Sequence, residues 1–369
     1  MAERQVICEE FPSSLPLSPN HADLADQQAP VTSDGSFSFA PEAHEEVPRI
    51  ITADCSYPKE IDDGLYVEPL DEEHELYRVG VCVADTSKIY NQPEVVKHAF
   101  DRTAARYWDL PDGERGYDPM IDPQMIKDLE LTAGNVRDAL IVNFLVGVRQ
   151  EPSEVRISFG KVEVVDNKNY KQFANYADYG NGKRFSRASA LIKQHLGYVA
   201  YGDHAGNRPQ WQPADAVANT SAQAWKRGSK LNEAFMVAAN HLVGKVLAEE
   251  KRPAIYRVHD PEDEQYLELM SANMARYTRV PGPHLGLGLD PYCRVTSPLR
   301  RLDDFVMNHQ LKQRFLGKPT TTAEVRDIAF AIRRLNQELI AAAPKEVSRL
   351  SRRDILGKGA GRLVIAPAS

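Results

Sequence analysis

The amino-acid sequence predicts an α+β fold: a β-rich N-terminal half and a helix-rich C-terminal half, preceded by a disordered acidic tail. Three observations point there. Residues 1–48 show neither a 3.6- nor a 2-residue apolar period, strand-like segments crowd the stretch from Arg49 to about Val165, and helical spacing dominates beyond Ala190. The expected organisation is a tail over 1–48 and one catalytic-type domain over 49–369 of the 369 residues.

The tail holds one basic residue, Arg4, against nine acids, and is rich in Pro, Ser and Ala. Such a composition cannot bury enough apolar surface to order itself. Solvation or tethering is its ordinary role; competition with an anionic ligand for a groove on the body is the alternative.

RIITA and GLYVEPL read as strands on either side of an acidic loop, and LYRVGVCVADTSKIY as a third, with Val79, Val81 and Val83 at alternate positions. EVVKHAFDRTAARYW reads as a helix, and DALIVNFLVGV and EVRISFGKVEVV as further strands. SKLNEAFMVAANHLVGKVLAEEK reads as a helix, as does EVRDIAFAIRRLNQELI with Val325, Ile328, Ile332, Leu335 and Leu339 on one face. There is no internal repeat.

Composition excludes several classes. No run approaches the ~18 apolar residues of a membrane span, and MAERQVICEEFPSSLP lacks a basic region followed by an apolar core, so no membrane association and a cytoplasmic location are expected. Cys8, Cys55, Cys82 and Cys293 form no CxxC pair, which argues for reduced thiols and against a zinc ribbon or a disulfide framework. The formal charge is −7, but the first 48 residues account for −8 of it. The remaining +1 leaves room for an electropositive groove on the body.

Two segments carry chemistry. In ITADCSYPKEIDDGLYV, Asp54, Glu60, Asp62 and Asp63 fall in the spacing D-x5-E-x-D-D. A solvated acidic turn is one reading; the other is a cation site, because carboxylates this close repel one another unless something positive neutralises them, and Mg²⁺ or Mn²⁺ does so best. The second segment is PGPHLGLGLDPYCRVTSPLRRLDDFVMNHQL, in which Ser297 or Pro298 is a natural helix start. Arg300 and Arg301 are then expected in the first helical turn, placed to clamp a phosphate, or else paired with Asp303 or Asp304 at a surface.

Together these segments resemble the RNB-type catalytic domain of the ribonuclease II superfamily of 3′ to 5′ exoribonucleases. The resemblance runs from about Arg49 to about Gly357 and rests on four stretches in the family's order: the D-x5-E-x-D-D loop, VADTSKIY, NEAFMVAAN and GPHLGLGLDPYCRVTSPLRR. It implies hydrolysis of single-stranded RNA to nucleoside 5′-monophosphates by a two-metal mechanism using Mg²⁺, with Mn²⁺ as an alternative. It implies Asp54, Asp62 and Asp63 as ion-holding and catalytic acids, Glu60 as a fourth metal ligand where the family has Asp, and Arg300 facing the scissile phosphate. Arg301 falls in the implied RNA-binding set, as do Tyr107 against the terminal nucleotide and Glu233 at the terminal ribose; a core-edge tyrosine and an exposed helix acid are the plain alternatives for these last two.

Departures from the family pattern are Arg352 in place of a Glu near the 3′ end, Leu302 in place of an aromatic, and Asn308 where His is frequent. Relatives flank this domain with cold-shock or OB-fold modules, and the sequence has no room for one before Arg49. A catalytic core alone is therefore expected, with salt-sensitive RNA binding, the basic run KEVSRLSRRDILGKGAGR as partial compensation, or a protein partner supplying the missing contacts. Two further readings stay open: a non-cutting RNA-binding or regulatory protein of the same fold, and a hydrolase of short oligoribonucleotides or RNA 3′ ends.

Overall fold

The computed structural model describes residues 37–38, 47–56, 58–71, 73, 75–109, 115–197, 221–259 and 275–342. The basic run, Arg352 and Cys8 lie outside these residues. Phe37–Ser38 (β1), inside the stretch assigned to the tail, forms a two-residue strand beside Val155–Arg156.

Five strands close on themselves. Arg49–Asp54 (β2), Asp63–Asp71 (β3), Leu76–Ala84 (β4), Val136–Gly147 (β7) and the 20-residue Gln150–Asn169 (β8) pair in the ring β8-β2-β3-β4-β7-β8. Only β2 and β8 run parallel; the other four pairings are antiparallel. Closure removes the sheet edges that an open set would expose. Val79, Val81 and Val83 are buried as expected, but Cys82 between them is buried too, because β4 faces the barrel interior on one side and helices on the other.

The chain between β4 and β7 departs from the expected long helix. Helix Pro93–Arg102 (α1) stops at Thr103, whose φ is 63°. Ala105 N–H then donates to the Arg300 carbonyl at 3.0 Å and Leu302 N–H to the Thr103 carbonyl at 2.9 Å. That tertiary pairing overrides helical propensity and turns Arg106–Asp109 (β5) into a hairpin with Arg115–Asp118 (β6). A short helix, Pro123–Leu129 (α2), leads into β7.

Helices Tyr170–Tyr176 (α3), Lys183–Leu196 (α4) and Ser221–Glu249 (α5) follow β8, then the short antiparallel strands Tyr256–Val258 (β9) and Arg276–Thr278 (β10), then Leu302–Phe315 (α6) and Thr322–Ala342 (α7). The 29-residue α5 is the scaffold for the site. Leu231, Phe235, Ala238, Leu242 and Val246 form its buried stripe at helical spacing. Its Asn240 side chain grips the loop before α6, accepting from Val295 N–H at 2.8 Å and donating to the Tyr292 hydroxyl at 3.1 Å. On α7, Ile328 and Leu335 are buried while Val325, Ile332 and Leu339 are half-buried.

Candidate active site

The acidic loop leaves the end of β2 and returns at the start of β3. Two backbone bonds fix it there: Leu131 N–H donates to the Ile61 carbonyl at 3.0 Å and Ala84 N–H to the Asp62 carbonyl at 2.8 Å. The bend carries Asp54, Glu60, Asp62 and Asp63 to one end of the barrel, with Glu60, Asp62 and Asp63 buried. A solvated turn is therefore excluded.

Each carboxylate has a different environment. Asp62 accepts from Leu299 N–H at 2.7 Å through Oδ1 and from Arg300 Nε at 2.9 Å through Oδ2. Burial still pushes its pKa up against the pull of Arg300 and that amide. Asp63 receives the Asn232 side-chain amide of α5 at 3.4 Å, and burial together with Asp62 raises its carboxyl to about 7. Asp54 is the least compensated: its Oδ2 is buried without a hydrogen-bond partner among the described residues, and burial with the neighbouring Asp63 and Asp62 raises it to about 8. Glu60 accepts from the Tyr107 hydroxyl at 2.6 Å and from the Tyr117 hydroxyl, and burial raises its pKa.

Arg300 sits opposite this cluster, but not in a helix. Arg301 is the N-cap of α6, with φ −140° and ψ 134°, and the helix begins at Leu302 rather than at Ser297 or Pro298. Ser297 N–H reaches Asp304 at 2.8 Å and Leu299 N–H reaches Asp62. Arg300 lies in a turn in which its N–H donates to the Ser297 carbonyl at 3.3 Å, and its side chain bonds both Asp62 and, at 3.0 Å, the Ser297 hydroxyl. Arg301 instead lies 3.9 Å from Asp304, and Arg294, not Arg300, carries the close pair with Asp303 at 2.7 Å.

Of the residues singled out in the sequence, Asp54, Glu60, Asp62, Asp63, Arg300 and Tyr107 converge. Tyr107 is not a core-edge residue: it lies on β5, is 36% exposed, and points its hydroxyl into the cluster. Glu233 is half-buried on α5, next in sequence to the Asn232 that meets Asp63. Asn308 donates to the Ala84 carbonyl at 3.3 Å, bracing the end of β4 beside the site. Sequence reasoning missed Tyr117, Asn232 and the Leu299 amide. The signal for Tyr117 was present: RYWDLPDGERGYD holds the residues Pro-Asp-Gly, a common turn-forming sequence, midway between Tyr107 and Tyr117, a pattern expected of a hairpin.

Among the described residues no three His, Cys, Asp or Glu side chains form a ready cage for a metal ion. The donor set nevertheless suits a hard cation of the Mg²⁺ type, which is commonly held by one or two carboxylates plus water and substrate phosphate. Asp54 and Asp63 are such a pair, and the Asp54 Oδ2, buried without a hydrogen-bond partner among the described residues, is the atom a cation would meet.

Comparison with known proteins agrees with this geometry. The model of the RNB domain family matches residues 46–274 and 267–316. Exoribonuclease 2 of Proteus mirabilis (strain HI4320) is 22% identical over 346 residues, covering 74% of this chain and 52% of that protein. The chain thus spans about half the length of the curated relatives it matches. RNase R of Mycoplasma genitalium, solved with ribose-methylated single-stranded RNA, is similar with a TM-score of 0.59 at 15% identity, over 85% of this chain and 58% of that one. Yeast Ssd1, a pseudonuclease, is similar with a TM-score of 0.56 at 13% identity, over 84% of this chain and 45% of that one. At these identities the two structures speak for the fold alone. With the family model covering most of the length from the acidic loop through the TSPLRR turn, the chain belongs to the RNB domain family of the ribonuclease II superfamily.

Proposed function

We propose that this chain is a divalent-cation-dependent 3′ to 5′ exoribonuclease that hydrolyses single-stranded RNA to nucleoside 5′-monophosphates. The observation that carries the reading is the crowding of Asp54, Asp62 and Asp63 at one end of the barrel, with an Asp54 Oδ2 that has no hydrogen-bond partner among the described residues while the Arg300 side chain is bonded to Asp62. Such a cluster is costly unless cations and a phosphate complete it. Membership of the RNB family and the likeness to Exoribonuclease 2 support the same chemistry.

Asp54 and Asp63 would hold the ion, with Asp62 beside them. When bound, Mg²⁺ or Mn²⁺ supplies the acidity that makes water a nucleophile at neutral pH and offsets charge on the departing 3′ oxygen. The protein's own residues do the rest. Asp62, fixed by the Leu299 amide and Arg300, orients and deprotonates the attacking water; Arg300, anchored on Ser297, faces the phosphoryl oxygens where negative charge accumulates. Tyr107 would offer its half-exposed ring to the terminal base, and Glu233 and Arg301 are given an RNA contact by the resemblance to the family alone.

The test is product identity. Incubation with a homopolymeric RNA and Mg²⁺ or Mn²⁺ yields nucleoside 5′-monophosphates by chromatography, none with chelator, and none from Asp63→Asn. One observation favours a second reading, an RNA-binding protein of this fold that does not cut: both oxygens of Glu60 already accept tyrosine hydroxyls. Intact RNA under every cation, with binding retained, selects it.

A further inference from the structure

Both carboxylate oxygens of Glu60 are taken up by tyrosine hydroxyls. Oε2 accepts the Tyr107 hydroxyl at 2.6 Å, Oε1 accepts the Tyr117 hydroxyl, and the residue is buried. Tyr107 and Tyr117 are direct cross-strand partners in β5–β6, with ring centroids 5.5 Å apart and 29° between planes. One carboxylate therefore ties both strands of the hairpin to the floor of the site. On the hairpin's other face the Trp108 indole lies over Gly116, where a β-carbon would strike it. A two-stranded ribbon with four residues per strand is marginal by itself. Further ties to the body are the strap in which Ala104 and Ala105 pair with Arg301 and Arg300 and the ion pair of Asp118 with Arg102.

The chemistry of Glu60 fits an anchor better than a ligand. A hydroxyl donated to each carboxylate oxygen offsets its charge and fixes its direction, and charge-assisted bonds of this kind are about twice as strong as neutral ones. The methylene that distinguishes Glu from Asp supplies the reach to the hairpin, whereas a shorter side chain would remain with the aspartates.

We propose that Glu60 anchors the tyrosine hairpin and is not an ion ligand, and that Tyr117 is a positioning residue which, through Glu60, holds the Tyr107 ring at the entrance for the RNA 3′ end. The anchor rests on the geometry alone; the role toward RNA rests on the exoribonuclease reading.

The experiment uses the full chain without RNA and has two readouts: hydrogen exchange over residues 104–118, and calorimetric titration with Mn²⁺. Tyr117→Phe and Glu60→Ala are each expected to speed exchange of the hairpin by roughly tenfold or more, the loss of one or two hydrogen bonds to a charged group. Both are expected to leave Mn²⁺ affinity within about threefold, while Asp63→Asn lowers it by more than tenfold. With RNA, Tyr117→Phe raises KM more than it lowers kcat, which a general loss of folded protein would not do. Unchanged hairpin exchange in both variants overturns the anchor, as does loss of Mn²⁺ binding in Glu60→Ala with the hairpin still protected. Absence of Mn²⁺ binding in the unaltered protein overturns the metal reading alone, because hairpin exchange still decides the anchor. Should Glu60→Ala fail to fold, Tyr117→Phe, which removes one oxygen atom, carries the test.

Discussion

Asp54 and Asp63 set the pH behaviour of the site. Their carboxyls lie near 8 and 7 in the folded protein against an ordinary value of 3.8, with burial as the first cause of both shifts. The folded state therefore binds more protons than the unfolded one between about pH 4 and pH 8, and by linkage its stability falls as pH rises through that window. We predict that the melting temperature of cation-free protein drops from pH 5 to pH 8, and that Mg²⁺ or Mn²⁺ raises it more at pH 8 than at pH 5. The reverse order would mean that these carboxylates are compensated by something other than a cation. Arg300 gives a second prediction at this scale. Its Nε and Nη2 span Asp62 and Ser297, a fork that a lysine ammonium cannot reproduce. Arg300→Lys should lower kcat by roughly 10²- to 10³-fold, the range for loss of a donor facing developing charge, with RNA affinity much less affected. Equal losses in both would assign Arg300 to binding alone.

The elements explain how much of this was readable in advance. The strands around the acidic loop and the long helices were legible because their apolar periods are sustained over many residues, as at Val79, Val81 and Val83 or at Ile328 and Leu335. The quartet was legible because four acids within ten residues are unusual between strands. What the sequence hid are places where a distant partner overrides a local preference. The helical pattern around Ala104–Trp108 yields to pairing with Arg300–Leu302, and the helix expected from Ser297 begins only at Leu302, after an extended Arg301 bridged to Ala104. Barrel closure was hidden as well, since local periodicity does not say that β7 returns to β8. Inside that barrel Tyr66 crosses over Gly80, its cross-strand partner, and donates to the Asn143 side chain at 2.5 Å. A β-carbon at Gly80 would strike the Tyr66 ring. Gly80→Ala should cost about 1–3 kcal/mol as an overpacking mutation, read as a lower urea midpoint with an unchanged m-value. A neutral result would mean that the barrel interior yields more easily than close packing allows.

For the whole molecule, charge is distributed unevenly: residues 1–48 hold −8 of a net −7, so residues 49–369 carry a formal +1 even with the acidic quartet included. RNA binding to such a body should be dominated by phosphate contacts and fall linearly in log–log terms as salt is raised. Removal of residues 1–36 tests whether the acidic segment competes with RNA; higher affinity at low salt that vanishes at high salt is the expected sign of competition. The long helix α5 joins the two halves that make the site, touching Asp63 through Asn232 and the loop ahead of Arg300 through Asn240. Acids from the β-rich half and the arginine from the helix-rich half thus meet across one rigid element.

The most direct measurement of the central claim follows a 5′-labelled single-stranded RNA of about 30 nucleotides, longer than the ~16-nucleotide site of a single RNA-binding module, with Mg²⁺, Mn²⁺ or chelator. The account predicts a ladder that shortens from the 3′ end, requires the cation, and disappears in Asp62→Asn while that variant still binds the RNA. A ladder that persists in Asp62→Asn, or RNA that stays full length with every cation while remaining bound, would contradict it.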